Sequence, residues 1–195
     1  LFFTGLMRNN AGLWQYSVIY QVDKLNCFQG NDAQWSYYSD VNNADSEKAF
    51  NLVPANSAWK TYPDSKMYFI SNVANGGDQY HLHSIEGSVG TELPLVAQQI
   101  TGPQTELAPD GQQPNTNNVM NTFDSRIWGA MELNGIIHFG AHVNSPENTS
   151  GIFYGRFKIS DLTLNGSLYY DKDFDYGFPS IAAIGEIENS DSVLI

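Results

Sequence analysis

Three strands of one pattern, each centred on an aromatic, recur along the chain about every 65 to 70 residues. They are Leu1-Phe2-Phe3-Thr4-Gly5, Met67-Tyr68-Phe69-Ile70-Ser71 and Ile137-His138-Phe139-Gly140-Ala141, with a truncated copy at Ser192-Val193-Leu194-Ile195. A polar, Gly/Asn-rich loop follows each complete copy (7–12, 72–78 and 144–151), then a second strand (16–23, 80–86 and 153–160). That is a hairpin with a tip of variable length. Another strand precedes each later copy: Ser57-Ala58-Trp59, Ile127-Trp128-Gly129-Ala130 and Ile181-Ala182-Ala183-Ile184. Asn134-Gly135 between two of these strands is a strong tight-hairpin signal, because both residues tolerate positive φ. A fourth strand is expected at 93–100 and at 162–170. Recurrence of this kind restricts the fold, since every copy must bury its apolar face in the same way.

A unit of four antiparallel strands predicts an all-β chain of β-propeller blades, about three blades plus part of a fourth, over a single section 1–195. The alternative is a β-sandwich. Eleven Tyr, eleven Phe and four Trp suit pleated strands. The best helical segment is 43–50, with Asp45 as its N-cap. The stretch 101–122 holds three prolines and little periodicity, and reads as a long inter-blade loop. Small residues at Gly129, Ala130, Ala182 and Ala183 suit an innermost strand. Both termini fall inside the unit, which predicts a section of a larger ring. The remaining blades are expected on a parent chain or a partner, and the chain as a processed product, a fragment or the ordered part of something longer.

Charge limits the partners. A formal net charge of −12, from 21 acids and 9 bases, repels phosphate backbones and anionic membrane surfaces. Nucleic acid is therefore not expected, whereas a divalent cation, a glycan or a protein surface is compatible. Nowhere do the roughly 20 consecutive apolar residues of a membrane-spanning helix occur, so no membrane insertion is expected. Cys27 is the only cysteine, which rules out an internal disulfide and a Cys-based zinc site.

The phrase Tyr176-Gly177-Phe178-Pro179-Ser180-Ile181-Ala182 resembles the "F/Y-P-S-I/L-A" lead-in to an inner blade strand of sialidase-like and related bacterial propellers. Arg126-Ile127-Trp128-Gly129-Ala130 is similar to a divergent copy. The resemblance implies a secreted or cell-surface propeller. Sialidase activity itself is not implied. The chain has three arginines (Arg8, Arg126, Arg156) and no Asp box, and only Arg126 stands at an inner-strand start.

Several residues carry possible chemistry. Asp124 and Asp175, with Arg126 beside them as a further catalytic candidate, precede inner strands, where paired carboxylates of a glycosidase would sit; the competing role of the two carboxylates is turn capping. Asp171, Asp173 and Asp175 alternate in Asp171-Lys172-Asp173-Phe174-Asp175, a spacing suited to a loose Ca²⁺ site or to a solvated acidic edge. An EF-hand is excluded, because Gly177 is seventh and Ala182 twelfth. His81 and His83 share a strand face, with His138 and His142 on another unit. Two of them and a third ligand make a zinc site; otherwise they are hydrogen-bonded histidines on exposed faces. Trp35, Tyr37 and Tyr38, and also Tyr169 and Tyr170, suit either sugar stacking or blade packing. Asn148-Thr149-Ser150 and Asn165-Gly166-Ser167 fit the glycosylation acceptor pattern.

The expected protein is a non-enzymatic exported or cell-surface module for adhesion, glycan or protein binding, or assembly. A carbohydrate-active propeller enzyme and a structural part of a larger surface complex are the alternatives.

Overall fold

The computed structural model describes residues 1–57, 66–91, 93–183 and 193–194. Alternating side chains and tight polar turns make the described residues an all-β fold. The first meander is β1 (Phe2–Arg8), β2 (Trp14–Val22) and β3 (Trp35–Tyr38), with the five-residue helix α1 (Lys24–Phe28) between the last two. Asp23 starts that helix: its carboxylate accepts the Leu25 and Asn26 N–H groups that would otherwise lack partners. The second meander is β4 (Val53–Asn56), β5 (Lys66–Asn72), β6 (Gly76–Glu86) and β7 (Val96–Glu106). A small hairpin of β8 (Gly111–Gln112) and β9 (Val119–Met120) follows. The third meander is β10 (Ile127–Leu133), β11 (Ile136–Asn144), β12 (Ser150–Lys158) and β13 (Thr163–Tyr169). Last, β14 (Ala182–Ala183) pairs with β15 (Val193–Leu194).

One contact is parallel. Ala130 of β10 lies opposite Ala55 of β4, which joins the second and third meanders into an eight-stranded mixed sheet of order β13-β12-β11-β10-β4-β5-β6-β7. The sheet nearly closes into a barrel, because its two outer strands come back together. A Cβ on Gly102 of β7 would press on the tip of the Leu164 side chain of β13, so the glycine marks a close approach of the two strands.

Period-two alternation decides what each face touches. On β11, Ile137, Phe139, Ala141 and Val143 point into the barrel, where they meet Ile70, Tyr80, Leu82 and Ile100 of the second meander. The rings of Tyr80, Phe139 and Phe153 stand 5.7–6.2 Å apart at its centre. The opposite face of the second meander is not solvated. Met67, Phe69 and Ile85 pack there on Ile19, Val41, Ala49 and Leu52, with Phe2 against the Phe69 ring. Ser17 Oγ donates to Ala49 O at 2.7 Å, and Gln21 Nε2 to Gly87 O at 2.9 Å, across the same junction. Three layers therefore stack, and the middle one is covered on both faces.

The Asn134-Gly135 hairpin forms as predicted, with φ of 54° and 78°. Other expectations change. The segment 43–50 is no helix: Asp45 Oδ1 accepts the Glu47 N–H, Ser46 is left-handed at φ 70°, and an Asn42–Lys48 bridge closes the turn. Asp and Asn side chains compete with helical hydrogen bonds and favour such turns. The inner strand of the second meander is Val53–Asn56; of the span 57–59 only Ser57 lies among the described residues, outside that strand. The segment 101–122 begins inside β7 and continues into the β8–β9 hairpin. The C-terminal copy at 192–195 is described only at Val193 and Leu194, as β15.

Candidate functional site

Two lead-in segments, 122–126 before β10 and 176–181 before β14, meet at one end of the stacked meanders. Each carries a phenylalanine in left-handed backbone, Phe123 at φ 64° and Phe178 at φ 55°. Bulky residues avoid that region, and holding one there costs on the order of 1–3 kcal/mol. Both rings are nonetheless solvent-facing, at 63% and 45% exposure. The strain is held by side chains on neighbouring elements. Asn72 of β5 donates from Nδ2 to Ser125 O at 2.6 Å and accepts the Ile127 N–H at 3.1 Å. Asn51 Nδ2 donates to Ile127 O at 2.6 Å, and the Ser125 N–H to Ala74 O at 2.8 Å.

Around these phenylalanines runs a strip of rings. Trp14 meets Phe50 edge-on at 5.4 Å. The Arg126 guanidinium lies 5.1 Å over Phe50 and 5.6 Å over Trp128. Trp128 then contacts Phe178 at 5.0 Å and Phe123 at 6.4 Å. Beneath them His142 is fully buried. Its Nε2 accepts the Phe178 N–H, which places the ring proton on Nδ1, donated to Thr122 O at 3.1 Å. The indole Nε1 of Trp128 also lies 3.2 Å from that Nδ1, and two N–H groups cannot bond each other. The Thr122 bond is the one compatible with the Phe178 contact. Burial pushes the His142 pKa down, against the pull of Thr122 O and Asp124, and keeps the ring neutral.

Asp124 and Arg126 form a forked pair. Arg126 Nε donates to Oδ1 at 2.7 Å and Nη2 to Oδ2 at 2.5 Å, with both side chains 17% exposed. Oδ1 also accepts the Arg126 backbone N–H at 3.1 Å. The pair adds no net charge to the strip and leaves Nη1 for a further acceptor. Asp175 serves instead as a tie between elements. Its Oδ2 accepts the Gln112 N–H at 2.7 Å and its Oδ1 the Ser150 N–H at 2.6 Å, fastening the β8–β9 hairpin to β12. Each carboxylate predicted as half of a catalytic pair is thus engaged by separate partners.

The rest of the acidic run is occupied one residue at a time. Asp171 Oδ1 accepts the Asp173 N–H at 2.7 Å, and Asp173 takes Lys172 Nζ at 2.5 Å. Among the described residues, no three His, Cys, Asp or Glu side chains converge as metal ligands. The histidines are not on exposed faces as expected: His81, His83, His138 and His142 are all buried, because the faces of β6 and β11 are both covered. His83 Nε2 donates to Asn43 Oδ1 at 3.2 Å, and burial, with His81 alongside, pushes its pKa down to about 4. His138 Nδ1 lies 2.6 Å from Tyr154 OH.

Trp35 and Tyr37 stand together on an exposed face with Tyr20, whose ring stacks on Tyr37 at 5.6 Å and 20°. Trp35 is 6.1 Å from each of them. Tyr38 departs from this set, since the next residue along a strand points the other way, here onto the Ile19–Phe69 core. Tyr169 is exposed, 6.5 Å from Tyr154.

The sequence singles out Arg126 and Asp124 but not Phe123, Phe50 or the pinning Asn51 and Asn72. Short polar side chains in turns give no signal beyond turn propensity. The Phe178 lead-in is visible as a motif. Comparison with protein-family models, curated proteins and solved structures gives no match in any of the three.

Proposed function

We propose that the protein is a non-enzymatic recognition module of an exported or cell-surface protein, its meanders being repeated blades of a β-propeller. It binds a neutral glycan at the end where the inner strands begin. One observation carries the binding site: two strained, exposed phenylalanines from successive lead-ins converge on Trp128 beside a charge-neutral Arg126–Asp124 fork. Strain kept at a solvent-facing site is characteristic of functional surfaces. Flat rings bury the C–H faces of sugars, and a fork with Nη1 spare bonds a hydroxyl without demanding an anion. An overall charge of −12 favours a neutral ligand over an acidic one.

The blade reading is supported by the second meander, which packs on a neighbour through each face. In a two-sheet sandwich the outer face of each sheet meets solvent. The binding reading is favoured over the hydrolase because Asp124 and Asp175 are each engaged by local donors, Asp124 by Arg126 and Asp175 by the Gln112 and Ser150 N–H groups.

The test is a titration of the chain with neutral oligosaccharides (β-glucan, mannan and galactan hexasaccharides), followed by tryptophan fluorescence and calorimetry. Saturable binding to one of them is expected. Trp128→Ala should weaken it about 10- to 100-fold, roughly 1.4–2.8 kcal/mol. Absence of saturable binding to all three, or hydrolysis of any, overturns the reading.

A further inference from the structure

The first meander presents a face unlike any other among the described residues. Phe3, Phe69 and Phe139 occupy matching positions on β1, β5 and β11, the strands that lead each hairpin. Phe69 and Phe139 are both 0% exposed. Each points toward the meander that precedes it in the chain: Phe69 into the cluster with Ile19 and Leu52, Phe139 into the cluster with Tyr80 and Leu82. The intervening residues point onward. Phe2 covers Phe69, Ile70 joins the barrel interior, and Gly140 lies so close to Pro179 that a Cβ there would stand 2.9 Å from it.

By the same alternation Phe3 points away from the second meander, and it is 52% exposed. Register places Tyr20 opposite Phe3, and Tyr37 opposite Tyr20. Trp35 is two residues from Tyr37 and shares its face. Four large rings therefore form one open surface across β1, β2 and β3. Contiguous apolar patches of this kind are contact surfaces in soluble proteins.

We propose that this face is an interface between copies, and that its occupant is a second copy of this chain, which seats a unit of the same repeat there as the first meander sits on Phe69. The proposal rests on the blade reading above and assigns Trp35 and Tyr37 to packing instead of to sugar. Its warrant is continuity: at both junctions the chain contains, the Phe-bearing face receives a neighbouring unit and is covered by it. The occupant must offer a small and branched apolar surface, as Ile19, Val41, Ala49 and Leu52 do for Phe69.

In a solution of this chain alone, such a unit is supplied by a second copy. Sedimentation velocity from about 1 to 100 µM should show concentration-dependent self-association by mass action. Hydroxyl-radical footprinting over the same range should show oxidation of Tyr20, Trp35 and Tyr37 falling several-fold, while Phe123 and Phe178 stay reactive. Phe3→Lys with Tyr37→Lys should leave the chain monomeric with an unchanged circular-dichroism spectrum. Tyr37→Lys alone, at the end of the row, keeps the test open if the double variant fails to fold. A chain that stays monomeric throughout overturns the proposal, as does association that leaves these rings reactive. Protection of Trp35 and Tyr37 by an oligosaccharide in the monomer also overturns it. Trp128→Ala lies outside this face, so loss of glycan binding and loss of association are read separately.

Discussion

Between the second and third meanders the packing is apolar and aromatic, with Tyr80, Phe139 and Phe153 at its centre; within the third, Gly155 of β12 has no room for a Cβ beside the Phe139 ring. Between the first and second meanders the buried cluster is smaller and shares its face with Ser71, His81 and His83. Ser71 Oγ, His81 Nδ1 and His83 Nδ1 are buried there without a hydrogen-bond partner among the described residues. The aromatic junction is also reinforced by the Ala55–Ala130 backbone pairing, which has no counterpart at the histidine-lined one among the described residues. Apolar burial responds little to pH, whereas a junction lined with neutral imidazoles is weakened as they take up protons. The two junctions thus differ in how their stability responds to acid.

The largest effect should come from the aromatic joint. Phe139→Ala removes a fully buried ring and is expected to cost about 3–5 kcal/mol of global stability, measured by the urea midpoint. Phe69→Ala should instead free the first meander selectively, seen as faster amide exchange in β1–β3 with β11 still protected. Equal exchange in both regions would erase the distinction.

Next in size is acidification. The His83 pKa is pushed down to about 4 in the folded state, below its ordinary 6.5, so the folded chain binds fewer protons than the unfolded one. Stability is then complete above pH 6.5, falls as the pH drops toward 4, and levels off below. A single group with that shift accounts for about 3 kcal/mol. His83→Gln should flatten this part of the pH profile, and an unchanged profile would remove His83 as its cause.

Asn72→Ala is expected to cost about 1–3 kcal/mol, since it strands a buried carbonyl and a buried N–H at the start of β10. It should also weaken glycan binding by loosening Phe123. The smallest effect belongs to Asp161, whose pKa is held down at about 2 by Lys158 and Thr163. Its side chain lies on the surface, so Asp161→Asn should leave the thermal midpoint nearly unchanged.

How much of this is legible in the sequence depends on the kind of interaction. Antiparallel strands, their hairpin order and the Asn134-Gly135 turn follow from alternation and local turn chemistry, which short stretches encode in full. The histidines are misplaced by sequence alone for a specific reason. Alternation on β6 shows that His81 and His83 share a face, but not that another meander covers it. The parallel Ala55–Ala130 contact is invisible as well, because neither strand carries a mark of its partner. At the candidate site, Phe178 and Arg126 stand in recognisable lead-in phrases. Phe123 is obscured, since nothing in Thr122-Phe123-Asp124 announces a left-handed phenylalanine.

That single parallel contact also has a kinetic meaning. Every other pairing in the eight-stranded sheet links strands adjacent in the chain, so each closes a short loop. Only the β4–β10 contact must wait for most of the intervening polypeptide. Hairpins of this kind form in microseconds, far faster than a ribosome adds residues. The local hairpins can therefore form before the β4–β10 contact, which joins the two meanders, has both of its strands. Until then β4 is an unpaired edge, and its brevity, with Pro54 in the middle, guards it against the wrong partner.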